Sequence, residues 1–383
     1  MIVSYGARNC WSFKDWLEID FSINKNVSEE YGFKDIRIVP ALCFEGANAS
    51  GKSNALRVLS FIMDFCINSF SYRQKNLIPY DTFFNNGDKS DIYISFCVAE
   101  ELGKVYTYEA EIDTTKIYSE KLYYTEGKKK RYLIKRINNK ITFNDYFIIP
   151  ENLILKDNAS FISTFDQYGM KEITVFADFF RSIISNVAYV GTYDSELTDY
   201  VAEYYYNNPD IHKKVFNQLK QFDTGIEDVS IVPAYDSNGN RKYMSIFKHK
   251  ADAENVELNY FNQSTGTKLL YNKLMDFYLT IENGGILVFD ELDNHLHSAI
   301  IPYLLEYFLD FTTNKNHAQI VFTSHDSSLL DTMKKYRTYL FNKDLGESIC
   351  YRIDEIPSNN VFRNDRSLEQ IYKMGMLGGV PNV

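Results

Sequence analysis

The chain contains no run of 18 or more apolar residues and no cleavable leader. A membrane-spanning helix is thereby excluded, and the expected location is the cytoplasm, with no membrane partner. It has only five cysteines (Cys10, Cys43, Cys66, Cys97, Cys350), scattered mostly within apolar runs and never spaced C-x-x-C. That pattern excludes a disulfide framework and predicts reduced, buried thiols. Nothing sustains the heptads of a long coiled coil. Cations are outnumbered, 41 Lys and Arg against 51 Asp and Glu, for a net charge of −10. This disfavours bulk binding to a polyanion and leaves only a local basic groove open. No Ser-His-Asp or Cys-His arrangement stands out. What the chain does have is 45% hydrophobic residues and many aromatics, 30 Tyr and 28 Phe among 383 residues. It therefore reads as a globular protein long enough for one large core or two lobes. Most of the aromatics belong to strands and core, with a stacking surface as the alternative.

The most specific pattern is Gly46-Ala47-Asn48-Ala49-Ser50-Gly51-Lys52-Ser53, followed by Asn54. It matches the phosphate-binding loop G-x-x-x-x-G-K-[ST] in its proper surroundings. The apolar run 38–44 reads as a buried strand leading in, and 55–62 as a helix leading out. Gly46 and Gly51 let successive N–H groups turn towards one anion, and the helix N-terminus adds its dipole. Lys52 is expected to reach the β- and γ-phosphates of ATP, and the Ser53 hydroxyl to bind Mg²⁺.

Downstream, Ile286-Leu287-Val288-Phe289 reads as a strand buried on both faces, ending at Asp290-Glu291. Asp290 is the candidate Mg²⁺ ligand. Glu291 is the candidate catalytic carboxylate, placed to polarise water attacking the γ-phosphate. A third apolar strand, 318–324, ends at His325, a candidate γ-phosphate sensor. Between loop and carboxylates, Ser264-Thr265-Gly266-Thr267 precedes the helical stretch 269–279, the composition of an anion site at a helix start.

In this order the motifs resemble ABC-type ATPases of the SMC and RecF kind. Finer details are Gly-Ala-Asn-Ala-Ser-Gly-Lys-Ser-Asn, Asp-Glu-Leu-Asp-Asn-His-Leu-His, Thr-Ser-His-Asp-Ser-Ser-Leu-Leu-Asp and the C-terminal Gly-Gly-Val-Pro-Asn. With the opening Trp11-Ser12-Phe13-Lys14-Asp15, they are similar to the small AAA-annotated ATPases of bacterial defence loci, the AbiL-type abortive-infection ATPases. The resemblance covers most of the chain and is weak between Asp81 and Asn259. It implies an α/β ABC-type head with a mixed or parallel core sheet, a flanking antiparallel sheet, a helical insert and no coiled-coil arm. It also implies that Ser264 and Gly266 contact the γ-phosphate bound by the other subunit of a homodimer or higher oligomer. The departures are a signature without the full Leu-Ser-Gly-Gly-Gln, His295 in place of a small residue, and Ser298 in place of proline. Gln74 and Gln167 are both candidates for the metal-sensing glutamine, and neither is singled out.

The expected organisation is an N-terminal ATPase lobe over 1–160, a helical insert over 161–225, a C-terminal lobe over 226–345 and a tail over 346–383. A hairpin turn is expected at 236–240. A basic hairpin around Lys128, Lys129, Lys130 and Arg131, with Lys135, Arg136 and Lys140, reads either as a phosphate-tracking element or as a solvated turn. Asp293, His295 and His297 read as a subunit-contacting loop rather than a separate metal site. About 58 residues follow His325, fewer than an appended nuclease domain of ~100 residues needs. Any effector is therefore expected on a separate chain. The resemblance implies an anti-phage ATPase controlling a toxin or nuclease partner. The alternatives are a RecF-like repair ATPase that grips DNA under ATP control, and a scaffold that binds ATP and scarcely hydrolyses it, against which Glu291 argues.

Overall fold

The apolar runs that carry the motifs become neighbouring strands of one parallel sheet. The computed structural model describes residues 1–383 except 35, 74, 139, 145–146, 148–152, 190, 193–197, 223–224, 236–237, 251–254, 358–366 and 381–383. Gln74, the turn residues Asp236 and Ser237, and Pro381 and Asn382 of the C-terminal motif lie outside the described residues.

The chain opens with an antiparallel pair, β1 (Ile2–Arg8) and β2 (Leu17–Asp20). Strand β3 (Ala41–Gly46) starts a second sheet and leads through the glycine loop into α1 (Lys52–Asn68). The first sheet is then completed by β4 (Ser90–Phe96), β5 (Tyr106–Ile112), β6 (Ile117–Glu126), β7 (Lys129–Ile137) and β8 (Lys140–Phe143). Its order is β2-β1-β4-β5-β6-β7-β8, antiparallel throughout. Helices α2 (Phe161–Gln167) and α3 (Lys171–Arg181) pack on α1. Strand β9 (Ile183–Ser185) then rejoins the second sheet. A short ribbon, β10 (Val187–Ala188) with β11 (Gly191–Thr192), precedes α4 (Thr198–Asn207) and α5 (Pro209–Gln221). These helices pack on a three-stranded antiparallel sheet, β12 (Ile226–Tyr235), β13 (Arg241–His249) and β14 (Val256–Asn259). The chain continues through α6 (Thr265–Asn283), β15 (Ile286–Phe289), α7 (Ile300–Leu309) and β16 (Gln319–Thr323). It ends with α8 (Leu329–Met333), β17 (Thr338–Asp344), β18 (Glu347–Arg352) and α9 (Leu368–Lys373).

The second sheet runs β18-β17-β3-β16-β15-β9, parallel except for the edge strand β18. Its strands are apolar on both faces because both are covered. Leu42, Phe44, Ile286, Val288 and Val321 join the core shared with α1 and the antiparallel sheet. The alternate residues Cys43, Leu287, Phe289, Ile320 and Phe322 face a second core with α6 and α7. The carboxyl ends of β3, β15, β16, β9 and β17 lie along one edge, where a ligand of an open α/β sheet binds.

Three expected boundaries change. The segment 161–225 is mainly helical, carrying α2 to α5, but it is not wholly an insert: it contributes β9 to the central sheet, because Ile183 and Ile184 pair with Ile286 and Leu287. Helices α4 and α5 form with β12–β14 a mixed α/β unit that crosses the expected boundary at 226 and shares the second core with α6. The tail begins inside the sheet, since β18 pairs along β17, and α9 packs against α8 with Ile371, Tyr372 and Leu377 buried. Among the described residues no helix exceeds the 19 residues of α6, and none is long and apolar enough to cross a membrane. The five cysteines are free, four of them buried.

Much of the basic hairpin's charge is spent internally. Lys121 and Lys130 both pair with Glu109, Arg131 pairs with Glu126, and Lys135 stands 3.5 Å over the Tyr132 ring. Arg136 is fully buried opposite Glu120 at 3.5 Å and donates to the carbonyls of Asn138, Lys156 and Ala159. Glu120 also accepts from Tyr108, Ser160 and the Phe161 N–H. Removing one partner strands the other charge in the core. Glu120→Ala is therefore expected to cost about 3–5 kcal/mol in urea unfolding. A loss under ~1 kcal/mol would show that the pair is not a closed buried network.

Candidate nucleotide site

The glycine loop is shaped by contacts that leave no room for side chains. Gly46 has φ 151° and Gly51 φ 112°. A Cβ on Gly46 would lie 2.5 Å from the Phe341 carbonyl oxygen, and one on Gly51 2.3 Å from Ser348 Oγ. The loop is thus wedged against β17 and β18. Residues Asn48 to Asn54, Asp290, Glu291, Thr323, His325 and Lys343 line a cleft of about 420 Å³. Four elements brought together by the strand order supply the expected loop, carboxylates and histidine to one place.

Asp290 is the hub. Its Oδ1 accepts from Ser53 Oγ at 3.0 Å and from Thr323 Oγ1 at 2.6 Å. Thr323 Oγ1 in turn accepts from the Glu291 N–H at 2.7 Å. Asn186, just past β9, grips the main chain of Asp290 from both sides, accepting from its N–H at 2.7 Å and donating to its carbonyl at 3.1 Å. Glu291 sits at φ 53°, a left-handed conformation that costs a non-glycine residue about 1 kcal/mol or more and clusters at functional sites. Its carboxylate lies 3.9 Å from His325 Nε2, and both side chains are about half exposed. The His325 N–H donates to Asp293 Oδ2.

The donors suit the expected ligands. Ser53 and Asp290 offer hard oxygens for Mg²⁺. The glycine cradle, Lys52 and the N-terminus of the 17-residue α1 suit phosphate. The buried Ser50 hydroxyl, without a partner among the described residues, adds a polar atom within the loop.

Ser264 and Gly266 do not line this cleft. Ser264 caps α6, accepting from the Thr267 N–H at 3.1 Å, and a Cβ on Gly266 would lie 3.3 Å from the His295 carbonyl oxygen. Gln167 is exposed at the end of α2 and lies outside the cleft. The residue that does reach Asp290 from the neighbouring strand is Asn186, which no motif marks. Thr323 was likewise read only as part of a strand. The signal for Asn186 is positional: it follows the strand triplet Ile183-Ile184-Ser185, which pairs beside β15.

Behind the loop the site is acidic. Glu45 is 2% exposed, and its Oε1 has no partner among the described residues. Burial pushes its carboxyl up to about 8, against the opposing pull of Lys52. Burial also pulls the Lys52 ammonium below its ordinary range, with Glu45 and Asp290 opposing. Lys52 Nζ donates to the carbonyls of Gly46 and Ala47 at 2.6 and 3.1 Å. Glu45 ordinarily titrates at 4.5, so between 4.5 and about 8 the folded chain holds a proton that the unfolded chain has released. Its contribution to stability is full below the lower value and lost as pH rises through the upper one. Glu45→Gln is expected to raise the melting temperature relative to the parent at about pH 9 and to change it little at about pH 5. A difference between the two proteins that is the same at both pH values would contradict a buried neutral Glu45.

A family model described as "AAA domain, putative AbiEii toxin, Type IV TA system" matches residues 43–331. Comparison with curated proteins gave no match. Among solved structures the chain is similar to an SMC head bound to the C-winged helix domain of ScpA, at 12% identity and a TM-score of 0.50, over 93% of this chain and 99% of that one. It is also similar to the SMC head domain from Thermotoga maritima, at 13% identity and a TM-score of 0.45, over 92% and 98% of the two chains. A third likeness is to an Smc head with an extended coiled coil, bound to the C-terminal domain of ScpA and derived from Pyrococcus furiosus, at 11% identity and a TM-score of 0.45, over 92% and 97%. Identities this low speak for the fold alone, and the first match shares it over nearly the whole of both chains. The chain therefore has the α/β fold of an SMC-type, ABC-type ATPase head, and it belongs to the AAA-domain family described as putative AbiEii toxin of type IV toxin–antitoxin systems.

Proposed function

We propose that this chain is a Mg²⁺-dependent ATPase that works as an ATP-sandwiched dimer, in a bacterial anti-phage system where it controls a separate toxin or nuclease chain. The observation that carries the ATPase reading is the convergence of Lys52, Ser53, Asp290, Glu291 and His325 on one cleft at the carboxyl edge of the parallel sheet. Lys52 and the loop N–H groups bind the β- and γ-phosphates. Mg²⁺, held by Ser53 and Asp290, neutralises charge on those phosphates. Glu291 polarises the attacking water, and His325 stands beside it to contact the γ-phosphate. Thr323 and Asn186 fix the carboxylates in place rather than touching substrate.

The dimer reading rests on what the cleft leaves out. Ser264 and Gly266 have the composition of an anion site, yet they cap α6 beside His295 rather than line the chain's own cleft. A second copy, related by a two-fold axis, brings them to the opposite site. Two observations support the biological reading: the family's toxin–antitoxin description, and the similar SMC head that binds a separate ScpA domain. Nucleotide state then sets whether the partner is held or released.

Gly266→Trp is expected to keep ATP affinity and lose turnover, whereas Lys52→Ala loses affinity. Random pairing of equal amounts of the two makes half the dimers mixed, each with one intact composite site. Recovery is thus expected to reach up to about one quarter of parental turnover. Full turnover by Gly266→Trp alone, measured by phosphate release, would sink the dimer reading.

A further inference from the structure

A second cavity, of about 220 Å³, lies between α6 and the β9–β15 edge of the parallel sheet, beside α4. It shares no lining residue with the nucleotide cleft. Its walls are mainly apolar: Ile184 and Phe289 from the sheet, Leu269, Met275 and Leu279 from α6, and Val201 from α4. One acidic side chain lines it, that of Asp276. The Asp276 carboxylate takes part in no hydrogen bond or ion pair among the described residues, and burial alone pushes it up to about 7. Lys273, one turn earlier on α6, lines the cavity with its stem while its ammonium is engaged elsewhere, donating to the carbonyls of Leu292 and Asn294.

An unpartnered carboxyl in an apolar setting destabilises a fold by more than a packing residue would at the same place. Its presence beside a partly open, mainly apolar cavity is the pattern of a ligand's counter-ion. The size is sufficient, because an apolar cavity of about 150 Å³ already admits benzene. We infer that this cavity is a binding site for a compact apolar molecule carrying a protonated amine, with the Asp276 carboxylate as its counter-ion. The amine supplies both the missing charge and the missing hydrogen-bond donors, and the walls take up the apolar body. The site also adjoins the catalytic machinery. Asn186 lines the cavity and grips Asp290, and Lys273 lines it and holds the loop that follows Glu291. An occupant therefore touches the two side chains that fix the nucleotide-site loop from behind.

The test uses the full chain without nucleotide and needs no ATPase activity, so its outcome is separate from that of the proposed function. Benzylamine, benzyl alcohol and toluene are titrated by calorimetry and by ligand-observed NMR. Benzylamine is expected to bind saturably and to bind more tightly than the other two. Asp276→Asn is expected to weaken benzylamine by ~10-fold or more and to leave toluene little changed. Leu279→Trp, which fills the cavity without touching the carboxyl, is expected to abolish binding of all three. Asp276→Leu is expected to raise the melting temperature of the protein, because a side chain retained for structure would instead destabilise on removal. Failure of benzylamine to bind the parent, equal affinity in parent and Asp276→Asn, or binding that survives Leu279→Trp would each overturn the proposal.

Discussion

One carboxylate organises the nucleotide site. Asp290 accepts hydroxyl hydrogens from the first turn of α1 and from the end of β16, and its own peptide is clamped by Asn186 from the end of β9. Three parallel strands and one helix are thereby tied to a single residue at the sheet's carboxyl edge. The tie works only because β15 lies between β16 and β9, and β16 lies beside the strand that feeds the glycine loop. Strand order, more than any local motif, brings residues more than 200 positions apart to within hydrogen-bonding distance.

The charges around that hub are uneven. Behind the loop sit the buried Glu45 and the carboxylates of Asp293 and Asp326, and these act together on Glu45 with Lys52 as the opposing cation. A buried lysine beside so many acids offers little net positive charge. In the proposed site Lys52 therefore shares phosphate binding with the N–H groups of the loop, the α1 dipole and a divalent cation that arrives with the nucleotide. Burial, reinforced by Asp293 and Asp326, raises the Glu45 carboxyl, so the strand under the loop carries a neutral carboxyl rather than an isolated charge near neutrality.

The site was legible where sequence and space coincide. The loop between Gly46 and Ser53, the Asp290-Glu291 pair and His325 each sit at the end of an apolar run, and such runs become parallel strands. Ser264 was legible as standing at a helix start, and in the structure it caps α6. Asn186 was not legible, because a three-residue strand is too short to show a period and its neighbours on both sides have helical composition. Its role exists only in the pairing of Ile183 and Ile184 with β15. The basic hairpin was left with two readings for a related reason. Sequence counts charges but not partners, and Glu109, Glu126 and Glu120 take up three of the hairpin's cations, Lys130, Arg131 and Arg136. The helical reading of 161–225 failed at β9 because tertiary pairing overrode local pattern. The boundary at 226 failed because the hairpin of β12 and β13 packs with α4 and α5, and all of them share one core with α6.

The central claim is that the Asp290 carboxylate, and not merely its side-chain shape, holds the metal of an ATP-hydrolysing site. The direct measurement is steady-state ATP hydrolysis as a function of Mg²⁺ concentration for Asp290→Asn beside the parent. The amide keeps the size and still accepts from Ser53 and Thr323 through its oxygen, so the fold should stand. The account predicts turnover lowered by ~10-fold or more, with half-saturation by Mg²⁺ moved to higher concentration by ~10-fold or more. Parental turnover with an unchanged Mg²⁺ dependence would contradict it.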